Sequence, residues 1–261
     1  MSPEIETLLR PLSARSLVAS ALLGSHPPAL SGRLLVAMAE RFGISSGTAR
    51  VALSRMVERG ELVNDAGVYG LGGSLLERQE RQDSRRQARF DPWDGTWEQV
   101  VVTVSGRSSA VRSRLRGDLV ALGLGELREG VWMRPANLDP SRQPSLRAAV
   151  ADLVVTFTIE PIPDSQGRDL VAELFELDEW AGTATSLGAA IGDARGRLDT
   201  DPDAVVSGFS IASATLRHLT HDPQLPYVLE PASWPAADLR AVYQEFEAAY
   251  QALLRQFFRT A

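Results

Sequence analysis

The chain has 261 residues, of which 44% are hydrophobic and 23% charged, and its formal net charge is −6. This length exceeds one small module, so we expect two or three domains. Cysteine is absent, which excludes disulfides, thiolate metal sites and a cysteine nucleophile. No apolar run approaches the ~18 residues of a membrane helix, and the first residues lack the apolar core of a secretory signal, so we expect a cytoplasmic protein.

Charge is distributed unevenly along the chain. Of the 27 basic residues 12 lie in residues 1–90, against 9 of the 33 acidic residues. The first part therefore carries a net charge of +3 and the rest −9. Every basic residue is arginine, a bias that GC-rich codon usage explains, although arginine also offers a fork suited to phosphates and guanine edges. The asymmetry permits an anionic partner for the N-terminal part.

Two helices are predicted first. Residues 13–23 have helical composition, and Gly24 with the Pro27-Pro28 pair ends the segment. Ser31 then predicts the N-cap of a second helix, which ends at Phe42-Gly43.

The third predicted helix has two distinct faces. Ser45 or Ser46 caps its start by accepting from free backbone N–H groups. One face is a continuous apolar stripe at helical spacing, made of Ala49, Ala52, Leu53, Met56 and Val57. The other carries Thr48, Arg50, Val51, Ser54, Arg55 and Arg59. A narrow helix with this polar face suits insertion into a DNA major groove.

A predicted hairpin follows this helix. Residues 61–64 and 68–71 flank Asp65-Ala66-Gly67, which predicts a tight turn. Three helices followed by a two-stranded ribbon indicate a winged helix-turn-helix over residues 1–73. The predicted DNA-binding residues are Ser46, Thr48, Arg50, Val51, Ser54, Arg55 and Arg59. Arg50 and Arg55 are the main candidates for base or phosphate contacts, and Arg59 is either a phosphate contact or a solvated charge. The alternative is an ordinary helical hairpin within a globular core.

The middle of the chain predicts a connecting helix over residues 74–90 and then a second domain over 91–168. In that domain residues 99–104 form a strand, 108–122 a helix, and 126–128 with 131–134 a hairpin. A helix at 145–152 and a strand at 153–159 complete the order βαββαβ. This order is typical of a ferredoxin-like domain.

Residues 169–261 have helical patterns, with Pro235 and Asp238 at the start of a last helix. Its apolar residues alternate spacings of four and three, a seam of Leu239, Tyr243, Phe246, Tyr250, Leu253 and Phe257. The seam is under three heptads long. Two interpretations remain open: a tertiary core contact or a homodimer contact.

Signals for catalysis and metal binding are weak. His218 and His221 stand three apart beside Asp222, but we interpret them as structural or surface residues rather than metal ligands. No Gly-rich phosphate loop or recognisable Ser/His/Asp set occurs. The predicted ferredoxin-like domain resembles that of CRISPR-associated nucleases, which carry an acid at the end of the first strand, but here that strand ends at Thr103-Val-Ser-Gly106 without a carboxylate. We therefore predict no enzymatic activity, no cofactor and no metal.

Several strings together resemble the PaaX family, the repressors of phenylacetic acid catabolism and their relatives. These strings are residues 43–62, Trp93-Asp-Gly-Thr-Trp97, residues 122–127, Gly130-Val-Trp-Met-Arg-Pro135, residues 217–226 and Leu229-Glu-Pro-Ala-Ser-Trp-Pro235. The resemblance spans nearly the whole chain.

The resemblance implies an α+β multidomain protein with an N-terminal winged helix-turn-helix, a central ferredoxin-like domain and a helical C-terminal domain for the effector or dimerisation. It also implies a homodimeric repressor that binds a palindromic operator in double-stranded DNA. An aryl- or acyl-CoA thioester such as phenylacetyl-CoA would release it, although the sequence does not identify the residues that bind this effector. The rival hypothesis is an acyl-CoA-processing or nucleic-acid-cleaving enzyme with an appended DNA-binding domain.

Overall fold

A computed structural model describes residues 13–86, 92–104, 106, 108–139, 141, 143–198 and 204–260. The side chains of residues 81, 84–86, 205 and 255–260 are outside this description. Contacts divide the chain into two compact units. The first unit contains the described residues of Met1–Asp83, Thr185–Arg217 and Asp238–Ala261. The second contains those of Ser84–Ala184 and His218–Ala237.

The structure is a mixture of helices and two small antiparallel sheets. The helices are α1 (Ala14–Leu23), α2 (Gly32–Arg41), α3 (Ser46–Glu58), α4 (Gly73–Arg86), α5 (Ser109–Ala121), α6 (Pro144–Val150), α7 (Asp164–Leu174), α8 (Leu177–Arg195), α9 (Ala204–Leu219) and α10 (Ala236–Thr260). The strands are β1 (Ala29–Ser31), β2 (Leu62–Asp65), β3 (Val68–Leu71), β4 (Trp97–Val102), β5 (Gly125–Arg128), β6 (Val131–Pro135) and β7 (Val154–Ile159). Within the described residues, no helix combines the length and the apolar composition that a membrane crossing requires.

Serine side chains fix where the first three helices begin. Ser13, Ser31 and Ser45 have extended backbone, and each hydroxyl accepts from a backbone N–H at the start of its helix at 3.2 Å. Each cap satisfies one of the free donors of a helix start. The predicted starts of α1 and α2 are confirmed, and of the two candidates for α3 the cap is Ser45.

The N-terminal sheet has the order β1-β3-β2. Its hairpin turns through Ala66 and Gly67, whose φ angles of 47° and 87° are both left-handed, as a tight two-residue turn requires. The Gly67 N–H donates to Asn64 Oδ1 at 3.0 Å. The predicted hairpin is confirmed. Strand β1, which the sequence analysis did not predict, pairs with β3.

The C-terminal helices complete the core of the first unit. Leu239, Tyr243, Phe246 and Tyr250 are at most 5% exposed, which supports the core interpretation of the predicted seam for these four residues. The side chain of Phe257 lies outside the described part. Gly208 lets α9 approach this seam closely, because a Cβ there would lie 2.7 Å from the Tyr250 ring.

The second unit contains the predicted ferredoxin-like domain. Its sheet has the order β5-β6-β4-β7, antiparallel throughout, and the elements follow one another as βαββαβ. Residues of one strand alternate between faces. Val100 accordingly packs with Leu115 and Leu119 of α5 on one face, and Trp97 packs with Val171 of α7 on the other. The first strand begins two residues before the predicted one, because Trp97 already pairs with Pro135 and Ile159.

Candidate nucleic-acid interface

The buried side of α3 determines which of its residues face outward. Ala49, Leu53 and Met56 are at most 2% exposed, so the predicted apolar stripe forms the inner face of the helix. This burial fixes the rotation of α3 about its own axis, and the residues between the stripe positions are directed away from the core.

The outward face collects most of the predicted DNA-binding residues. Thr48, Arg50, Val51, Ser54 and Arg55 are exposed, and so is Arg59 at the C-cap. Val51 is 50% exposed and lies between Arg50 and Arg55, which are about 140° apart around the helix axis. Ser46, by contrast, is half-buried on the margin of the inner face.

The arginines of this face lack the ion pairs that several other arginines form in the described part of the chain. Within the described residues, Arg50, Arg55 and Arg59 make no ion pair. Arg15, by comparison, pairs with Glu61 at 2.8 Å, and Arg147 pairs with Glu98 at 2.6 Å. The guanidinium groups of α3 are therefore available to a ligand without breaking an existing pair.

The hydroxyls of α3 are already engaged locally. Thr48 Oγ1 lies 2.9 Å from Ser45 Oγ, and Ser54 Oγ donates to Glu58 Oε1 at 3.3 Å. A ligand has to compete with these contacts. The first turn of α3 contains no acidic residue, so the positive end of its helix dipole is not neutralised and suits an anion such as a phosphate.

The hairpin beside α3 offers a different chemistry. Val63 and Val68 are 59% and 43% exposed, Asp65 is exposed at the tip, and residues 62–71 include no arginine. This ribbon can give apolar and backbone contacts, but it adds no positive charge.

His218 is a packed side chain. Its Nε2 lies 3.0 Å from the Trp180 carbonyl oxygen, and its ring stacks on the Trp180 ring with centroids 4.5 Å apart. Burial lowers the pKa of His218, since it penalises the charged imidazolium. Among the residues that the structure describes, no three His, Asp or Glu side chains cluster as metal ligands. These contacts support the structural interpretation of His218.

A cleft in the central domain was not predicted. It has a volume of about 680 Å³, and α5, β5 and β6 contribute to its lining. Arg116 pairs with Glu126 across the cleft, and the guanidinium carbon of Arg116 lies 5.3 Å from the centre of the Trp132 ring. Arg112 and Glu129 also line the cleft. The sequence gives no signal for this site, because its residues come from separate elements.

Comparison with known proteins finds family matches for the N-terminal part of the chain and for the central domain. Residues 13–73 match the family of PaaX-like proteins, and residues 91–171 match the PaaX protein central Cas2-like domain. Among curated proteins, no sequence matches this chain. The solved structure of uncharacterized protein Rv0674 from Mycobacterium tuberculosis is similar, with 39% identity and a TM-score of 0.70. That similarity covers 94% of this chain and 98% of the other. The two family matches together span more than half of the sequence, and the chain belongs to the PaaX family of regulatory proteins.

Proposed function

We propose that the chain is a transcriptional repressor that binds specific DNA sequences through a winged helix-turn-helix. In this proposal α3 is the recognition helix and the β2–β3 hairpin is the wing. The observation that carries the proposal is the outward face of α3, where Arg50, Arg55 and Arg59 are exposed and have no ion-pair partner in the described residues. Surface arginines of a mixed solubilising face would alternate with carboxylates, and here Glu58 is the one exposed acid of the helix.

The proposed base recognition would use the arginines and Val51 of this face. An arginine fork can donate two hydrogen bonds to the O6 and N7 atoms of guanine, and such a pair contributes ~1–3 kcal/mol of discrimination. Arg50 and Arg55 on either side of Val51 can reach different positions in one major groove. Val51 lies where an apolar side chain can contact a thymine methyl group. The unneutralised start of α3 suits a backbone phosphate.

The repressor is proposed to act as a homodimer on a palindromic operator. One recognition helix reads only a few base pairs, and two copies related by a two-fold axis read half-sites one helical turn apart. Four residues of the α10 seam, Leu239, Tyr243, Phe246 and Tyr250, are buried in the core of their own chain, so the proposed dimer contact does not use these four residues. Edge strand β7 is the candidate, because its sequence is uncharged and Val155 and Phe157 are 44% and 48% exposed.

Release from DNA is proposed to follow binding of an aryl- or acyl-CoA thioester such as phenylacetyl-CoA. The cleft beside Trp132 suits the anionic half of such a ligand, because Arg112 and Arg116 can pair with phosphates. A phosphate has to displace Glu126 from Arg116. A ligand shifts DNA affinity only if it binds the two functional states unequally.

The DNA-binding proposal is tested by titrating a labelled duplex, chosen by selection from random sequences, with the wild type and with Arg50→Ala and Arg55→Ala. We expect each substitution to weaken binding ~5- to 150-fold, equivalent to ~1–3 kcal/mol. Arg114→Ala is the matched control, because Arg114 is an exposed arginine of the central domain with 82% side-chain exposure. If both α3 variants keep wild-type affinity, α3 is not the recognition helix.

The effector proposal is tested separately by thermal shift against a panel of CoA thioesters, followed by DNA titration in the presence of any ligand that binds. We expect at least one aryl-CoA to raise the unfolding temperature and weaken DNA binding. A panel without any shift contradicts the effector proposal and leaves DNA binding intact. Turnover of a thioester would favour the rival enzyme hypothesis.

A further inference from the structure

The first unit contains a cavity of about 370 Å³. The end of α1, strand β1 and the start of α2 line one part of it, and α9 and α10 line the rest. Ligand pockets in proteins begin at about 300 Å³. The cavity is thus large enough for a small molecule, and its walls come from segments that are far apart in the sequence.

Most of the lining is apolar or aromatic. Leu30, Leu34, Met38, Phe209 and Leu216 are among the lining residues, and Met38 and Phe209 are at most 5% exposed to solvent. Tyr243 and Tyr250 add two further rings, both at most 5% exposed. Such walls favour a ligand with an aromatic or aliphatic body, because burial of its apolar surface is favourable.

The lining contains few side chains that can carry a charge. Glu247 contributes a carboxylate, and its Oε1 accepts from the Tyr243 hydroxyl at 3.4 Å. Burial raises the pKa of Tyr250, so its phenol is neutral at ordinary pH. His26 lies at the exposed rim and its Nε2 is 2.9 Å from Asp83 Oδ2. Among the described lining residues there is no arginine, and the chain contains no lysine.

We propose that this cavity binds a small aromatic compound carrying one protonated amine. The ammonium group would pair with the Glu247 carboxylate, and the aromatic body would pack against the apolar walls. The volume equals about twelve water molecules at liquid density, enough for one or two rings. A CoA thioester does not suit the cavity, because its phosphates meet a carboxylate and no arginine.

This site is distinct from the central-domain cleft, and its proposal stands whether or not the chain binds DNA. The experiment uses the full chain and isothermal titration calorimetry with four probes. Phenethylamine, 2-phenylethanol and phenylacetate share a ring and a two-carbon chain but differ in head-group charge, and phenylacetyl-CoA is the fourth. We expect phenethylamine to bind about tenfold or more tightly than the neutral and anionic probes.

Variants assign the binding to this cavity. We expect Glu247→Gln to weaken phenethylamine binding about tenfold, as the loss of one charge-assisted hydrogen bond implies. Glu245→Gln removes a charge from the same helix, at a side chain that is 62% exposed and outside the lining, and should leave binding unchanged. Ala212→Phe fills the cavity and should abolish binding, with circular dichroism to check folding.

Four outcomes overturn the proposal. They are the absence of phenethylamine binding, tighter binding of phenylacetate or phenylacetyl-CoA than of the amine, unchanged affinity in Glu247→Gln, and unchanged affinity in folded Ala212→Phe. The last outcome would place the amine at another site.

Discussion

The substitution Gly125→Ala should destabilise the protein although it adds only one methyl group. Gly125 begins β5 and faces α7. A Cβ atom at this position would lie 2.6 Å from the Leu174 carbonyl oxygen and 2.8 Å from Leu174 Cβ. Both distances are well inside van der Waals contact, and the first neighbour is backbone rather than the mobile end of a side chain. Overpacking of this kind costs about 1–3 kcal/mol, and a backbone neighbour places the expected cost at about 2–3 kcal/mol.

A second glycine provides the opposite prediction. Gly117 lies inside α5, and a Cβ there meets nothing within 4 Å. Gly117→Ala should therefore stabilise the protein by about 0.5–1 kcal/mol, since alanine loses less conformational freedom than glycine in a helix. Both variants add one methyl group to the same domain, and the close contact at Gly125 against the open space at Gly117 accounts for the penalty expected of Gly125→Ala alone.

Thermal unfolding followed by circular dichroism measures both effects. At about 2–4 °C per kcal/mol for a chain of this size, Gly125→Ala should lower the midpoint by about 4–12 °C. Gly117→Ala should raise it by about 1–4 °C. A Gly125→Ala midpoint equal to or above that of the wild type would refute the close packing of β5 against α7.

Two further predictions concern buried polar groups. Gln79 donates from Nε2 to the carbonyl oxygens of Leu23 and Ser25 at 3.0 and 3.1 Å, so Gln79→Leu should cost about 1–3 kcal/mol, seen as a lower urea midpoint; an unchanged midpoint would contradict this role. Because the pKa of His218 is lowered by burial, the unfolded chain binds a proton first, and stability should fall as pH drops below about 6.5, the ordinary pKa of histidine. His218→Gln should flatten this fall in urea midpoints between pH 5 and 8, whereas His221→Gln should preserve most of it, because burial is the largest cause of the lowered His218 pKa and repulsion from His221 a smaller one; equal profiles for the two variants would contradict the role of His218 burial.

The local elements could be predicted because their signals are local. Ser31 caps α2 through a hydrogen bond to the residue three positions along, and the Ala66-Gly67 turn reverses the chain within two residues. The buried stripe of Ala49, Leu53 and Met56 likewise follows from the period of one helix. Each of these signals acts through hydrogen bonds or side-chain direction over a few residues, so it can be recognised without the tertiary fold.

The remaining features depend on partners distant in sequence. Strand β1 has three residues and exists through its pairing with β3. Gln79 lies in a polar segment whose composition suggests a solvent-exposed helix. It is nevertheless only 5% exposed, because its side chain donates to a backbone carbonyl oxygen at the end of α1. In the sequence, the α10 seam fits a dimer contact as well as a core contact. The close approach of Gly208 to the Tyr250 ring favours the core contact at that residue. The cavity beside Glu247 likewise needs the fold to assemble it.

The measurement that tests the central claim most directly is selection of bound duplexes from a random-sequence pool at about 150 mM salt, with the wild type and Arg55→Ala in parallel. The account predicts that the wild type enriches a two-fold symmetric sequence whose half-sites are centred about one helical turn, or a multiple of it, apart. Arg55→Ala should lose preference at one position of each half-site. A pool without any enriched sequence, or identical preferences for the two proteins, would contradict a recognition role for the outward face of α3.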